Sequence, residues 1–160
     1  MTARGVLHVH ACAPALCPHV SWAVGRVLGV RMHLSWTAQP VAPGSLRTEC
    51  EWVGQPGTAG RLASALRGWP QLRFEVTEAP GSGCDGQRYS ATPSLGLFGS
   101  PTSANGDVMV GEDRLRSLLA SGTDLSAGLT RLLGDAWDAE LEPYRRAAER
   151  PFAAPLTRVV

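Results

Sequence analysis

The sequence has 160 residues, and its 15 basic and 14 acidic residues leave a net charge of +1. Hydrophobic residues make up 44% of the chain, which is enough to bury a core and excludes general disorder. A charge this close to zero argues against a protein that binds nucleic acid through a strong positive field. No apolar run approaches the roughly 20 residues of a membrane-spanning helix, and the N-terminus lacks the apolar stretch of a signal peptide, so we expect a cytoplasmic protein.

The basic residues are all arginine, and lysine is absent. This absence excludes Schiff-base chemistry, a phosphate-binding loop of the Walker type, a kinase-type lysine, and attachment of biotin or lipoate. The cysteines are Cys12, Cys17, Cys50 and Cys84, and no two have the Cys-x-x-Cys spacing. The sequence therefore predicts neither a zinc ribbon nor a thioredoxin-like redox motif, and it specifies no cofactor.

The first 80 residues predict four strands and two helices from their hydrophobic periodicity. Apolar residues alternate at 5–11, 30–36, 46–53 and 72–78, and they recur at helical spacing at 17–28 and 58–68. The order is β-α-β-β-α-β, which is that of the ferredoxin-like unit. Alternation in every strand indicates a sheet with helices on one face only. We therefore expect an α+β fold whose first domain spans residues 1–80.

Residues 81–160 are expected to extend this unit and to pack on the same domain. After a loop rich in glycine, proline and serine, residues 89–99 are extended and residues 107–110 form a short strand. One helix begins near Glu112, and a second runs from Asp124 to a point before Pro143. The tail at 151–160 is apolar and rich in proline, and two alternatives remain open for it, namely docking on the domain and a loose segment.

The face of the predicted sheet that points away from the helices collects imidazoles, carboxylates and guanidiniums. Its predicted members are His8, His10, Arg31, His33, Arg47, Glu49, Glu51, Arg73 and Glu75. Two histidines and a carboxylate are a ligand set for non-haem iron or zinc. Two alternatives remain open, namely a solvated face with Arg–Glu cross-strand pairs and a face covered by the C-terminal half.

Aromatic side chains are predicted on the opposite, helix-covered face. Trp36, Trp52 and Phe74 alternate with the charged residues of their strands, so they fall on the apolar side. Single-strand RNA readers of this architecture place aromatic rings on the open face. The pattern therefore argues against RNA binding.

Two further groups are candidates for chemistry or binding. Cys17 lies near the N-terminus of the first predicted helix, where the helix dipole favours a thiolate; the alternative is a buried, unreactive cysteine. On the C-terminal helix, Trp137 and Leu141 share an apolar stripe that precedes Arg145 and Arg146. This stripe is a candidate docking element for a protein partner, and the alternative is packing on its own domain.

Several segments carry a resemblance to a known family. They are RGVLHVH at 4–10, ALCPHV at 15–20, RLASALRGW at 61–69, LRFEVTE at 72–78, DG at 85–86 with RYS at 88–90, EDRLR at 112–116, and AWD at 136–138 through EP at 142–143. Over almost the whole chain, the sequence is similar to the actinobacterial domain-of-unknown-function family 3145. The resemblance implies an actinobacterial, cytoplasmic protein, but no reaction and no catalytic residues. It also suggests fatty-acid synthesis enzymes that handle acyl carriers or acyl-CoA as partners.

Three hypotheses follow for function. The first is a non-catalytic binding or regulatory module that dimerises or binds a protein or small ligand. The second is an enzyme that uses a metal on His8, His10, His33 and Glu49, or the thiol of Cys17. The third is an accessory subunit of a lipid-synthesis assembly that docks through the C-terminal helix.

Overall fold

A computed structural model describes residues 1–149, which form a six-stranded antiparallel sheet with five helices. The strands are β1 (Ala3–Cys12), β2 (Thr37–Ala38), β3 (Leu46–Gly54), β4 (Arg73–Glu78), β5 (Gly86–Thr92) and β6 (Gly96–Thr102). The helices are α1 (Cys17–Leu28), α2 (Thr58–Leu66), α3 (Glu112–Ala120), α4 (Leu125–Leu133) and α5 (Asp135–Glu149). The chain thus has the predicted α+β class. The predicted tail at 151–160 lies outside the described residues.

β1 lies inside the sheet, whose strand order is β2-β3-β1-β4-β5-β6. Leu7 pairs with Cys50 of β3 and with Val76 of β4, whereas the next residue, His8, pairs with a glutamate on each side. Because successive side chains of a strand point to opposite faces, this register separates an apolar face from a charged face. The separation predicted from the alternation is confirmed for β1, β3 and β4.

The apolar face carries the core, which α1 and α2 cover. Its wholly buried side chains come from both layers: Leu7, Val9, Val20, Val24, Leu62, Leu66, Phe74 and Val76. Each buried side chain of this size contributes about 1.5–3 kcal/mol relative to an exposed one. The core therefore fixes the helices on the sheet and orients everything attached to them.

The start of α2 is set by a residue of β4. Glu78 accepts hydrogen bonds from the backbone N–H groups of Gly57 (2.8 Å) and Ala59 (2.9 Å). A carboxylate at this position accepts hydrogen bonds from N–H groups that have no partner within the helix. Its negative charge is also stabilised by the positive end of the helix dipole. Thr58 is the first helical residue, and its hydroxyl donates to the carbonyl of Gln55.

The predicted strand at 30–36 is wrong. This stretch is irregular, and the only strand of this region in the structure is the two-residue β2. The segment lies against α1 at Gly25, where a side-chain Cβ would come within 2.6 Å of the Val30 carbonyl oxygen. Packing on a helix buries alternate residues as a sheet does, which explains the misleading pattern. Arg31 and His33 consequently leave the charged face.

The second half extends the same sheet. The predicted extended stretch at 89–99 is the hairpin β5–β6, and the predicted strand at 107–110 is reduced to one bridge between Thr102 and Val108. The predicted C-terminal helix is two helices, because Gly134 adopts a left-handed conformation (φ 79°) between α4 and α5. Pro143 lies inside α5 and does not end it.

Helix α5 crosses the charged face of the sheet. It contacts β5 and β1, and Leu141 at its centre is fully buried. Trp137 packs on Phe98 of β6, with ring centroids 5.2 Å apart, and its indole N–H donates to the Gly96 carbonyl. The C-terminal half therefore covers much of this face, which agrees with the second alternative given for it in the sequence analysis. None of the helices within residues 1–149 has the length and hydropathy needed to cross a bilayer.

Candidate functional site

The structure brings four of the predicted candidates together on the charged face. The rings of His8 and His10 are stacked, with centroids 5.9 Å apart. His8 Nδ1 lies 3.6 Å from Oε2 of Glu49, and His10 Nε2 lies 2.8 Å from Oε2 of Glu75. Burial lowers the pKa of His8 despite the nearby Glu49 carboxylate. The two pairs differ in setting, because Glu49 is exposed whereas His10 and Glu75 are buried.

Glu75 is the centre of a closed network, which we call the Glu75 cluster: His10, Glu75, Arg88, Ser90, Asp138 and Arg145. Arg145 of α5 donates from Nε to Glu75 (2.8 Å) and from a terminal nitrogen to both carboxylates. Arg88 of β5 also bridges the two carboxylates, at 3.1 Å from Glu75 and 2.7 Å from Asp138. Two carboxylates thus face two guanidiniums, so their formal charges balance.

The electrostatics of the cluster favour its charged form. Burial opposes the ionisation of Glu75, but hydrogen bonds from Arg145 and His10 outweigh it and hold the pKa of this carboxyl well below its usual range. The bond to Glu75 in turn raises the pKa of Arg145 above its ordinary value. An ionised carboxylate only accepts hydrogen bonds, so Nε2 of His10 carries a proton. The lone pairs of Glu75 are occupied by protein donors.

The geometry does not support the predicted metal site. Among residues 1–149, no three side chains from histidine, cysteine, aspartate and glutamate come together around one point. His10 and Glu75 are engaged with each other, and Arg145 brings a positive charge to the position a cation would need. The Glu75 cluster joins α5 to the sheet instead.

The other predicted site residues lie apart from the Glu75 cluster. Glu51 is exposed on β3, and His33 is exposed in the irregular segment beside α1. Cys17 is buried, with its sulfur 3.8 Å from that of Cys12. Burial, together with the neighbouring Cys17, raises the pKa of Cys12 to about 12, which keeps the Cys12 thiol protonated at neutral pH.

The predicted docking residues of the C-terminal helix are largely used within the domain. Leu141 is inaccessible to solvent, the indole of Trp137 is hydrogen-bonded to β6, and Arg145 belongs to the Glu75 cluster. Arg146 is exposed, and among residues 1–149 its ion-pair partner is Glu142, one turn earlier. These contacts hold α5 on the sheet.

A second site lies on the other side of the molecule, between α1 and residues 29–36, and we call it the α1 groove. It has a volume of about 850 Å³, within the range of small-molecule sites. Met32, Leu34 and Trp36 line it from the irregular segment, and each also contacts the core. Two predicted candidates, Cys17 and His33, line this groove.

The α1 groove exposes an aromatic ring. Trp22 of α1 is 61% accessible, and the guanidinium of Arg26 lies 5.0 Å from the centre of its ring. The two residues are four positions apart, so they are neighbours on one helix face. An exposed tryptophan beside further apolar side chains is a feature of interaction sites.

The sequence interpretation did not name Arg88, Ser90 and Asp138 of the Glu75 cluster, or Trp22 and Arg26 of the α1 groove, and it named Arg145 only as a docking residue. Arg88 and Ser90 are two positions apart on β5, and Asp138 and Arg145 are seven apart on α5, so each pair shares a face. These spacings are visible in the sequence, but they do not show that the face of β5 and the face of α5 contact each other. For the groove, the available signal was the Trp22–Arg26 spacing on a helix whose other face is buried.

One family model, described as a protein of unknown function (DUF3145), matches residues 6–158 of the chain. No curated protein and no solved structure matches the chain significantly. The match covers the strands and helices that build both sites. The description assigns no reaction, so a functional argument has to begin from the geometry.

Proposed function

Since the chain belongs to the DUF3145 family of proteins of unknown function, we propose from its geometry that it is a non-catalytic binding protein. Its binding site in this proposal is the α1 groove, which holds a small ligand with an apolar part. The single observation that carries the proposal is the exposed Trp22 at an apolar groove of about 850 Å³. Burying a large aromatic ring against a ligand is favourable, since aromatic side chains dominate interface energetics.

The Glu75 cluster supports a non-catalytic role. A catalytic acid or base has to reach a substrate atom within hydrogen-bond distance. The buried Glu75 carboxylate accepts from His10, Arg88, Ser90 and Arg145, which leaves it no lone pair for a substrate. The thiol candidate Cys17 is buried against Cys12. These residues act in the fold and leave binding to the groove.

We also propose that the part from β1 to β4 is a ferredoxin-like unit. The order β2-β3-β1-β4 and the two helices on one face support this assignment. The hairpin β5–β6 then extends the unit beyond β4. This scaffold places the α1 groove at the outer side of the helical layer, where a ligand has access without rearrangement of the sheet.

A dye-binding measurement tests the proposed function. Nile red is uncharged and fluoresces in apolar surroundings, so the protein should enhance its emission in a saturable manner. Trp22→Ala should weaken binding about tenfold, whereas Leu119→Ala, at an apolar residue of α3 that is 68% exposed, should leave it unchanged. Circular dichroism establishes that both variants are folded. Equal loss in both variants, or no saturable binding by the native protein, would refute the proposal.

Self-association is a second candidate function. Leu125, Leu129 and Leu133 recur every four residues on α4 and are between 36% and 46% exposed. The same stripe on a second copy of the chain would be self-complementary in a two-fold dimer. Light scattering should then give twice the monomer mass, and Leu129→Glu should halve it. A monomer at all concentrations would eliminate this candidate.

A further inference from the structure

We infer that the α1 groove is selective for a monomeric single-chain amphiphile with an anionic head group. This inference rests on the proposed function, because it names the ligand class of the same groove. Its first support is the charge distribution along the chain. The first 48 residues contain no aspartate or glutamate, although they contain four arginines. The overall charge of +1 conceals this asymmetry.

The fold concentrates that asymmetry at the rim of the groove. Arg26 projects from α1, and Arg31 and His33 lie on the irregular segment, so the two walls both carry donors for an anion. Every side chain that lines the groove within residues 1–149 is non-acidic. In the same part of the chain, neither Arg26 nor Arg31 forms an ion pair. Two guanidiniums therefore remain available to a ligand.

The shape of the groove fits a linear ligand. It follows α1 from Pro18 to Gly29, and a helix of this length is about 18 Å long. The apolar side chains of Met32, Leu34 and Trp36 lie along it, and they would contact a hydrocarbon chain. The guanidinium of Arg26 already lies over the ring of Trp22, at the boundary between apolar wall and solvent. A head group at this boundary would meet the cations while the chain lies along the wall.

Displacement of Nile red by three dodecyl amphiphiles tests the inference. Dodecyl phosphate, dodecyl maltoside and dodecyltrimethylammonium share one chain and differ in head-group charge; each is used below its micellar concentration. The phosphate should displace the dye at a concentration at least tenfold lower than the trimethylammonium compound. The preference should decrease between about 50 and 300 mM salt, because salt screens exposed charges.

Variants at the rim locate the selectivity. Arg26→Gln and Arg31→Gln should each weaken dodecyl phosphate binding about two- to fivefold and should lower the ratio of phosphate affinity to maltoside affinity. Arg131→Gln is a matched control, since Arg131 also lies exposed in the last turn of its helix. It should change neither ligand.

The outcomes separate this inference from the proposed function. If the maltoside binds as tightly as the phosphate, or if the rim variants have no effect, the anionic selectivity is refuted and the groove remains a binding site. If no amphiphile and no dye binds, the proposed function itself is refuted. If phosphatidylglycerol vesicles bind the protein while dodecyl phosphate does not, the ligand is a membrane surface, which also refutes the inference.

Discussion

At the scale of single residues, Glu75 shows how a charged side chain is held inside this fold. It is only 6% exposed, yet it remains ionised because donors from β1, β5 and α5 surround it. A buried charge is costly without such partners, so removing one partner destabilises more than the pair itself contributes. The cluster is therefore sensitive to each of its members.

Arg145→Ala should lower the free energy of unfolding by about 2–4 kcal/mol, because it leaves Glu75 with fewer donors in a buried site. Arg146→Ala is the control, since the Arg146 side chain is 75% exposed and pairs with Glu142, which is itself partly exposed. That variant should change stability by less than about 0.5 kcal/mol. Guanidinium unfolding monitored by tryptophan fluorescence measures both. Similar values for the two arginines would contradict the role given to the Glu75 cluster.

Glu75 also predicts a pH dependence. Its pKa in the folded protein lies below the ordinary value of 4.5, so its contribution is present above about pH 4.5 and is lost as the pH falls toward the folded pKa. The native protein should lose stability steeply below pH 4.5. Glu75→Gln should be less stable at pH 7 and should show a shallower acid decline. Parallel pH profiles of melting temperature would be inconsistent with this assignment.

At the scale of elements, the close approach between α1 and residues 30–36 depends on Gly25. The added methyl group of Gly25→Ala would lie 2.6 Å from the Val30 carbonyl oxygen and force the segment outward. Alanine favours a helix interior over glycine by about 1 kcal/mol, so α1 itself should persist. We expect Nile red affinity to fall severalfold with the helical circular dichroism retained.

Gly68→Ala is a suitable control for that experiment. The nearest atom to a Cβ at Gly68 is 3.6 Å away, which is an ordinary contact. Its dye affinity should equal that of the native protein. If Gly25→Ala also binds the dye normally, the groove does not depend on this contact.

The elements also show what periodicity can predict. Alternation identified β1, β3 and β4, because a sheet with one buried face imposes a period of two on each strand. The same alternation at 30–36 was misleading, since the contact that buries Met32 and Leu34 is made to a helix. The sequence analysis predicted one helix where the structure has α4 and α5, because a glycine inside a helical pattern can either continue or end the helix. The ring of Phe98 lies next to Gly134, and such a long-range contact cannot be predicted from the local pattern.

At the scale of the whole molecule, the sheet is covered on both faces, by α1 and α2 on one side and by α5 on the other. For β1, β3 and β4 the sequence predicted which side chains share the charged face, although it wrongly added Arg31 and His33. It did not predict which of these side chains would be covered. Burial of Glu75 depends on Asp138 and Arg145, which are more than sixty residues away. Sequence reasoning could therefore identify residues of the charged face, but it could not show that they attach α5 to the sheet.

This double coverage predicts one cooperative unfolding transition. Leu141→Ala should lower the free energy of unfolding by about 2–5 kcal/mol and shift the whole transition, since Leu141 of α5 is fully buried. Leu119→Ala, at a leucine of α3 that is 68% exposed, should cost less than about 1 kcal/mol. Far-ultraviolet circular dichroism and fluorescence should give coincident curves. Separate transitions would show that α5 is an independent unit.

The balanced charges of the Glu75 cluster also constrain how this sequence can change over time. A replacement of Glu75 by a neutral residue would leave two guanidiniums facing one carboxylate, and a replacement of Arg145 would leave the reverse imbalance. Either single step passes through a less stable protein, so the two positions are expected to change together. In an alignment of relatives, we expect homologues that lack Glu75 to lack Arg145 or Arg88 as well.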